Sequence, residues 1–243
     1  MSSQYKKFSS AIISENNRGF VAVIPDIKCI SPKEGDLLQG RDPVEMAKYL
    51  VNCGVSLLSV VTEKERFGGS PELLLAITKA VNVPVLRKDF ITTEDQLLKT
   101  VEFGAASVLL ICAITNEENI YELYEKSIEL NLEPFVEVHT AKEMELAKKI
   151  GAKLIGINNR DITTFELDNG GPSRTNTLAL DAPDNALIVS ESGILSTDDA
   201  RLAVSAHANG ILVGTALWKA HDIEAMYRSL RIERVVSKNP HMQ

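Results

Sequence analysis

Residues 107–111 read Ser107-Val108-Leu109-Leu110-Ile111, with no polar position after the first. Segments of helical period lie on both sides, Glu94–Phe103 before and Glu117–Leu130 after. A strand with one wet face alternates apolar and polar residues. A run without alternation is covered on both faces, as strands of a parallel sheet are. Similar short runs recur at Phe20–Ile24, Ser56–Val61, Val83–Leu86, Phe135–Val138, Lys153–Ile157, Ala186–Val189 and Gly210–Val213.

Longer amphipathic stretches separate these runs. Pro43–Cys53 follows Asp42, a capping residue, and has proline in its first turn. Pro71–Val81 follows Ser70, and Ala141–Ile150, Pro172–Leu180, Asp198–Ala206 and Ile223–Val235 repeat the form. Several stop at Gly or Asn, as at Gly54, Gly104, Asn131 and Gly151. The repeat of about 25–30 residues fits one strand plus one helix. Eight such units close into a (β/α)8 TIM barrel. An open doubly wound sheet is the competing architecture, but the Gly-x-Gly-x-x-Gly turn that would favour it is absent. The expected organisation is one domain over 1–243: a short N-terminal extension (1–19) with a covering helix over Phe8–Asn16, the barrel (20–235) and a tail (236–243).

Composition fits that expectation. The 243 residues are 44% apolar and 24% charged, and 26 basic against 33 acidic side chains leave a net charge of −7. An acidic chain makes a poor nucleic-acid surface, which needs clustered Lys and Arg. A small anion needs only a local positive field. Cys29, Cys53 and Cys112 are odd in number and widely spaced, which fits a reducing compartment. No apolar run approaches a membrane span and no secretory signal stands at Met1–Ser10, so the expected location is cytoplasmic.

Active sites of such barrels lie at the carboxyl ends of the strands. Here those ends read Asp26-Ile27-Lys28, Thr62-Glu63, Arg87-Lys88-Asp89-Phe90, Glu137-Val138-His139, Asn158-Asn159-Arg160-Asp161, Glu191-Ser192-Gly193 and Gly214-Thr215. Period two puts Asp26 with Lys28, Glu137 with His139, Asn158 with Arg160, and Val189 with Glu191 on one face each. Any one of these charges can be a solvated loop residue. Together they bring two lysines and two or three carboxylates to one mouth, where pairing and desolvation tune acids and bases. Ser192-Gly193 and Gly214-Thr215 read as a phosphate cradle, with a short helix at Ala216–Ala220 behind the second pair. His139 can reach the site, but a structural or solvent-facing role has at least as strong a claim on it. The four histidines lack metal spacing, and Trp218 reads as packing.

In this order the strand ends resemble the indole-3-glycerol phosphate synthase family. The matching stretches are Ile27-Lys28 with Ser31-Pro32, Thr62-Glu63 with Phe67-Gly68-Gly69-Ser70, and Leu86-Arg87-Lys88-Asp89-Phe90-Ile91. They continue with Val136-Glu137-Val138, Gly156-Ile157-Asn158-Asn159-Arg160-Asp161, Glu191-Ser192-Gly193-Ile194 and Val213-Gly214-Thr215. The resemblance implies ring closure of 1-(2-carboxyphenylamino)-1-deoxyribulose 5-phosphate with loss of carbon dioxide and water. It implies neither metal nor organic cofactor, a small phosphorylated substrate, and a monomer or simple homodimer. Lys88 is then the general acid at the ketone oxygen. Lys28 holds the anthranilate carboxylate and serves the dehydration. Glu137 is the acid/base partner, Glu191 and Asp26 complete the catalytic set, and Asn158 steadies a hydroxyl. Ser31, Phe90, Arg160, Ser192, Gly193, Gly214 and Thr215 bind the substrate and its phosphate.

Two features depart from the family pattern. Strand one carries Asp26 where the family has Glu, and only about 20 residues precede it. Two other readings compete: a phosphate-binding barrel isomerase, which leaves Lys88 unexplained, and a non-catalytic binder of a phosphorylated metabolite.

Overall fold

The computed structural model describes residues 7–160 and 171–234. Eight parallel strands form a closed barrel: β1 (Ala22–Ile27), β2 (Leu58–Val61), β3 (Val85–Lys88), β4 (Ser107–Ile111), β5 (Glu133–Val138), β6 (Leu154–Asn158), β7 (Leu187–Glu191) and β8 (Gly210–Val213). Each strand pairs with its sequence neighbour, and β1 closes the ring on β8. The helices are α1 (Phe8–Asn17), α2 (Pro43–Asn52), α3 (Pro71–Ala80), α4 (Glu94–Glu102), α5 (Glu117–Glu129), α6 (Ala141–Lys149), α7 (Ser173–Leu178), α8 (Thr197–Ser205), α9 (Thr215–Trp218) and α10 (Ile223–Leu230). Asp42 accepts from the Val44 and Glu45 N–H groups at the start of α2, and Ser70 accepts from Leu73 at the start of α3. Among the described residues no helix is long and apolar enough to cross a membrane.

Both strand faces are buried, but they feed different cores. One set of side chains, such as Val23, Val60 and Ile211, packs outward under the helices. The other set, Ala22, Ile24, Leu86, Leu109, Ile111, Phe135, Leu154, Val189 and Leu212, fills the barrel. The amino-terminal end is plugged by α1: Phe8 and Ile12 join the interior core, with the Phe8 and Phe135 rings edge-on at 6.4 Å. Ser9 donates from its N–H and its hydroxyl to Glu133, which pins the plug to the start of β5.

Several boundaries differ from the sequence reading. Strand one was expected at Phe20–Ile24, but it runs Ala22–Ile27, so Asp26 stands inside the ladder. Phe20 instead bridges Glu233. Strand three starts at Val85, since Pro84 has no N–H for the ladder. The last helix stops at Leu230 rather than Val235. Beyond it the Ile232 carbonyl accepts from Val21 and the Arg234 N–H donates to Gly19, so the chain turns back along its own N-terminal segment; Val235 lies outside the described residues. Helix Pro172–Leu180 shortens to α7 and one 3-10 turn, Ala179–Asp181. The sequence reading lacks the hairpin of Ile30–Ser31 with Gly35–Asp36 that rises from the β1–α2 loop. Its strands are two residues each, too short for periodicity to register.

Candidate active site

The interior face of each strand continues past the apolar core into charge. Two residues beyond Ile24 stands Asp26, beyond Leu86 Lys88, beyond Phe135 Glu137, and beyond Val189 Glu191. The alternation that packs the barrel therefore sets the site on top of it. Asp26, Lys28, Lys88, Phe90, Glu137, Asn158, Arg160, Ser192, Gly193, Gly214 and Thr215 line one cavity at this end. Val61, Phe67, Leu109, Ile111, Leu195 and Leu212 supply its apolar wall.

Lys88 is the centre. Its Nζ lies 2.6 Å from Glu191 Oε2 and 3.2 Å from Glu137 Oε2. Burial opposes the ammonium, but Glu191, Glu137 and Asp26 outweigh it and hold the Lys88 pKa well above the ordinary lysine value. Glu137 is buried, which pushes its carboxyl up. Lys88, His139 and a hydrogen bond from Asn158 pull harder and keep it below the ordinary value. Glu191 is fully buried, and burial pushes its carboxyl up to about 7 against the pull of Lys88. Two carboxylates a short way apart thus have pKa values driven in opposite directions, the pattern of an acid/base pair.

The neighbours of these residues hold them in place. Arg87 turns outward from Lys88 and is buried, bonding Asp89 at 2.9 Å, Thr62, Thr100 and the Gln96 carbonyl. Thr62 also donates to Asp89, so the ends of β2 and β3 are tied together just past Lys88. Asn159 does the same for β6 and β7: its amide donates to Ser190, the Glu191 carbonyl and the Ser192 carbonyl, and its oxygen accepts from Thr175. That network holds Ser192 at φ +62°, a left-handed conformation costing a non-glycine residue about 1–2 kcal/mol, followed by Gly193 at +70°. Asp26 accepts a 2.7 Å hydrogen bond from Ser59. Lys28 is buried, with its ammonium 5.5 Å from the centre of the Phe67 ring.

Two expected site residues differ from the rest. Glu191 does not line the cavity but lies beneath it, against Lys88. Ser31 is buried in the hairpin, where its hydroxyl accepts from the Glu34 N–H, and it does not line the cavity. The covering helix α1 seals the opposite end of the barrel rather than the mouth. The short helix behind Gly214 spans Thr215–Trp218, starting one residue earlier than expected. Asp161 lies outside the described residues.

Sequence reasoning passed over Gly156. A Cβ built there collides with Glu191 Oε1 and Phe135 Cε1, so only glycine leaves room for the Glu191 carboxylate inside the barrel. Gly156→Ala is expected to cost about 1–3 kcal/mol of stability through overpacking. It should also displace Glu191 from Lys88, lowering kcat more than it changes KM. Thermal melts with steady-state kinetics check this; unchanged kcat in a folded variant would refute it.

A closed parallel barrel with an ammonium–carboxylate cluster at its carboxyl-terminal mouth defines a (β/α)8-barrel enzyme. The family model described as indole-3-glycerol phosphate synthase matches residues 1–230. The chain is 41% identical over 207 residues to an indole-3-glycerol phosphate synthase of Pyrococcus abyssi, covering 85% of this chain and 90% of the relative. It is 40% identical over 229 residues to one from Listeria monocytogenes serotype 4a, covering 94% and 89%. It is 42% identical over 209 residues to one from Thermococcus kodakarensis, covering 86% and 91%. The chain belongs to the indole-3-glycerol phosphate synthase family.

Proposed function

We propose that this chain closes the indole ring of 1-(2-carboxyphenylamino)-1-deoxyribulose 5-phosphate, releasing carbon dioxide and water and giving indole-3-glycerol phosphate. The observation that carries the reading is Lys88, a cation held by two buried carboxylates at the floor of a largely apolar cavity. The ring carbon bearing the carboxylate bonds to the ketone carbon while the ketone oxygen takes a proton. The carboxylate then leaves as carbon dioxide and its bonding electrons restore the ring. The new hydroxyl departs as water as a proton is lost from the adjoining carbon, completing the double bond.

Each residue type answers one of these needs. The ketone oxygen gains negative charge, and Lys88 donates to it without having to be protonated first. Glu137, kept ionised, takes the proton lost in the dehydration. Glu191 orients Lys88 through the 2.6 Å contact. Lys28 holds the anthranilate carboxylate beside Phe67 and Phe90 and serves the dehydration as an acid. Arg160 binds the same end of the substrate and Asn158 a hydroxyl. The phosphate rests against Ser192-Gly193 and Gly214-Thr215, fixing ring and ketone in reacting geometry. Asp26 adds negative charge near Lys88; its bond to Ser59 suits its short side chain to that part. No substrate contact is assigned to Ser31. The same reading has the enzyme acting in the cytoplasm, as a monomer or simple homodimer.

Mixing the purified protein with this substrate tests the reading. An indole ultraviolet signal should grow in step with carbon dioxide release. Tight binding without turnover would instead favour a non-catalytic binder.

A further inference from the structure

His139 lies just outside the cavity and takes no step in the chemistry above. Its ring is 7% exposed. Nδ1 lies 3.2 Å from Glu143 Oε2 on α6, and the His139 backbone N–H donates to that same oxygen at 2.7 Å. Nε2 lies 3.3 Å from Glu137 Oε1, the oxygen that does not face Lys88. An ionised carboxylate only accepts, so a ring nitrogen facing one must carry hydrogen. Nδ1 meets Glu143 at hydrogen-bond distance; Nε2 is buried and forms no hydrogen bond, so it meets Glu137 Oε1 as a charge, and only the imidazolium carries that charge.

We propose that His139, as an imidazolium, is a positioning residue of the active site, fastening Glu137 to Glu143 so that Glu137 stays ionised and turned toward Lys88. The charge balance supports this. Once Glu191 ionises, above about pH 7, Lys88 alone leaves one excess negative charge on the buried pair Glu137 and Glu191, and His139 offsets it. The titratable groups acting on the ring are Glu137 on its own strand, Glu143 on α6 and Glu191 two strands away on β7; Cys112, from the turn after β4, lies near the same Glu137 and Glu143. Burial lowers the His139 pKa, but these carboxylates raise it above the ordinary histidine value. The clamp is therefore complete below that raised pKa and is lost as pH rises through it.

The inference rests on the proposed activity, and the test separates the two. The kcat of the unmodified protein and of His139→Asn is measured from pH 6 to 9.5, with melts to verify folding. The unmodified protein should show an alkaline fall in kcat. The variant should start about tenfold lower, the equivalent of one lost pKa unit of interaction, lack that fall and meet the parent curve at high pH, with KM little changed. A folded variant that keeps the parent profile overturns the inference. If His139→Asn does not fold, NMR titration of the ring in a protein whose other three histidines are replaced decides. A ring still charged at pH 7 supports the clamp, and a neutral one overturns it. Failure of the unmodified protein to turn over would sink the activity, and the same titration still decides the clamp.

Discussion

Replacing Lys88 with alanine is expected to lower kcat/KM roughly a thousandfold or more, since it removes both the proton donor and the cation facing the developing oxyanion. The loss should appear mainly in kcat, because the Lys28 and phosphate contacts that hold the ground state remain. The variant carries a second signature. Without the ammonium, Glu137 and Glu191 face each other buried, and one of them must keep a proton. Glu191 already needs little help, as burial pushes its carboxyl up to about 7. Lys88→Ala should therefore fold at pH 5 and lose stability relative to its parent as pH rises past neutrality. Chemical denaturation at several pH values, with turnover assayed in parallel, checks both parts. Near-parental activity would remove Lys88 from the mechanism.

The second large effect concerns Glu191. Its folded pKa lies above its unfolded one, so the folded state holds a proton that the unfolded chain sheds at lower pH. The sign follows: ionising Glu191 costs folded stability as pH rises from the ordinary carboxylate range to about 7. Glu191→Gln removes that cost. Relative to its parent, the variant should gain about 3 kcal/mol of stability between pH 5 and pH 8. It should also lose roughly a hundredfold in kcat, because Lys88 is no longer held from below. Stability rising while activity falls is the mark of a group kept for chemistry. Equal pH dependence of stability in parent and variant would contradict the raised pKa.

Much of this was legible in the sequence because one periodicity serves two ends. The step of two that sends Ile24, Leu86, Phe135 and Val189 into the barrel also sends Asp26, Lys88 and Glu137 into its mouth and Glu191 just beneath it. The strand ends therefore read, from the sequence, as a ring of converging side chains. What escaped was set by distant contacts. Phe20 has the composition of a strand residue, yet its partner is Glu233 at the other end of the chain. Gly156 reads as one more small residue in an apolar run until Glu191 is seen to occupy the space beside it. His139 reads at least as well as a structural or solvent-facing residue, because its partner, Glu143, sits on the following helix and is also an ordinary first-turn acid. The placement of Ser31 away from the cavity wall was not legible either, because the hairpin that buries it is held by backbone bonds, including Leu37 to Cys29 and Ile30 to Phe67, which leave no mark in side-chain pattern.

The most direct test of the central claim is a crystal structure with a substrate analogue whose ketone is reduced to an alcohol. The oxygen at that carbon should lie about 3 Å from Lys88 Nζ, with the phosphate against Ser192-Gly193 and Gly214-Thr215 and the aromatic ring between Phe67 and Phe90. An analogue bound with that oxygen turned away from Lys88, or with its phosphate on the Phe67 side of the mouth, would contradict the account.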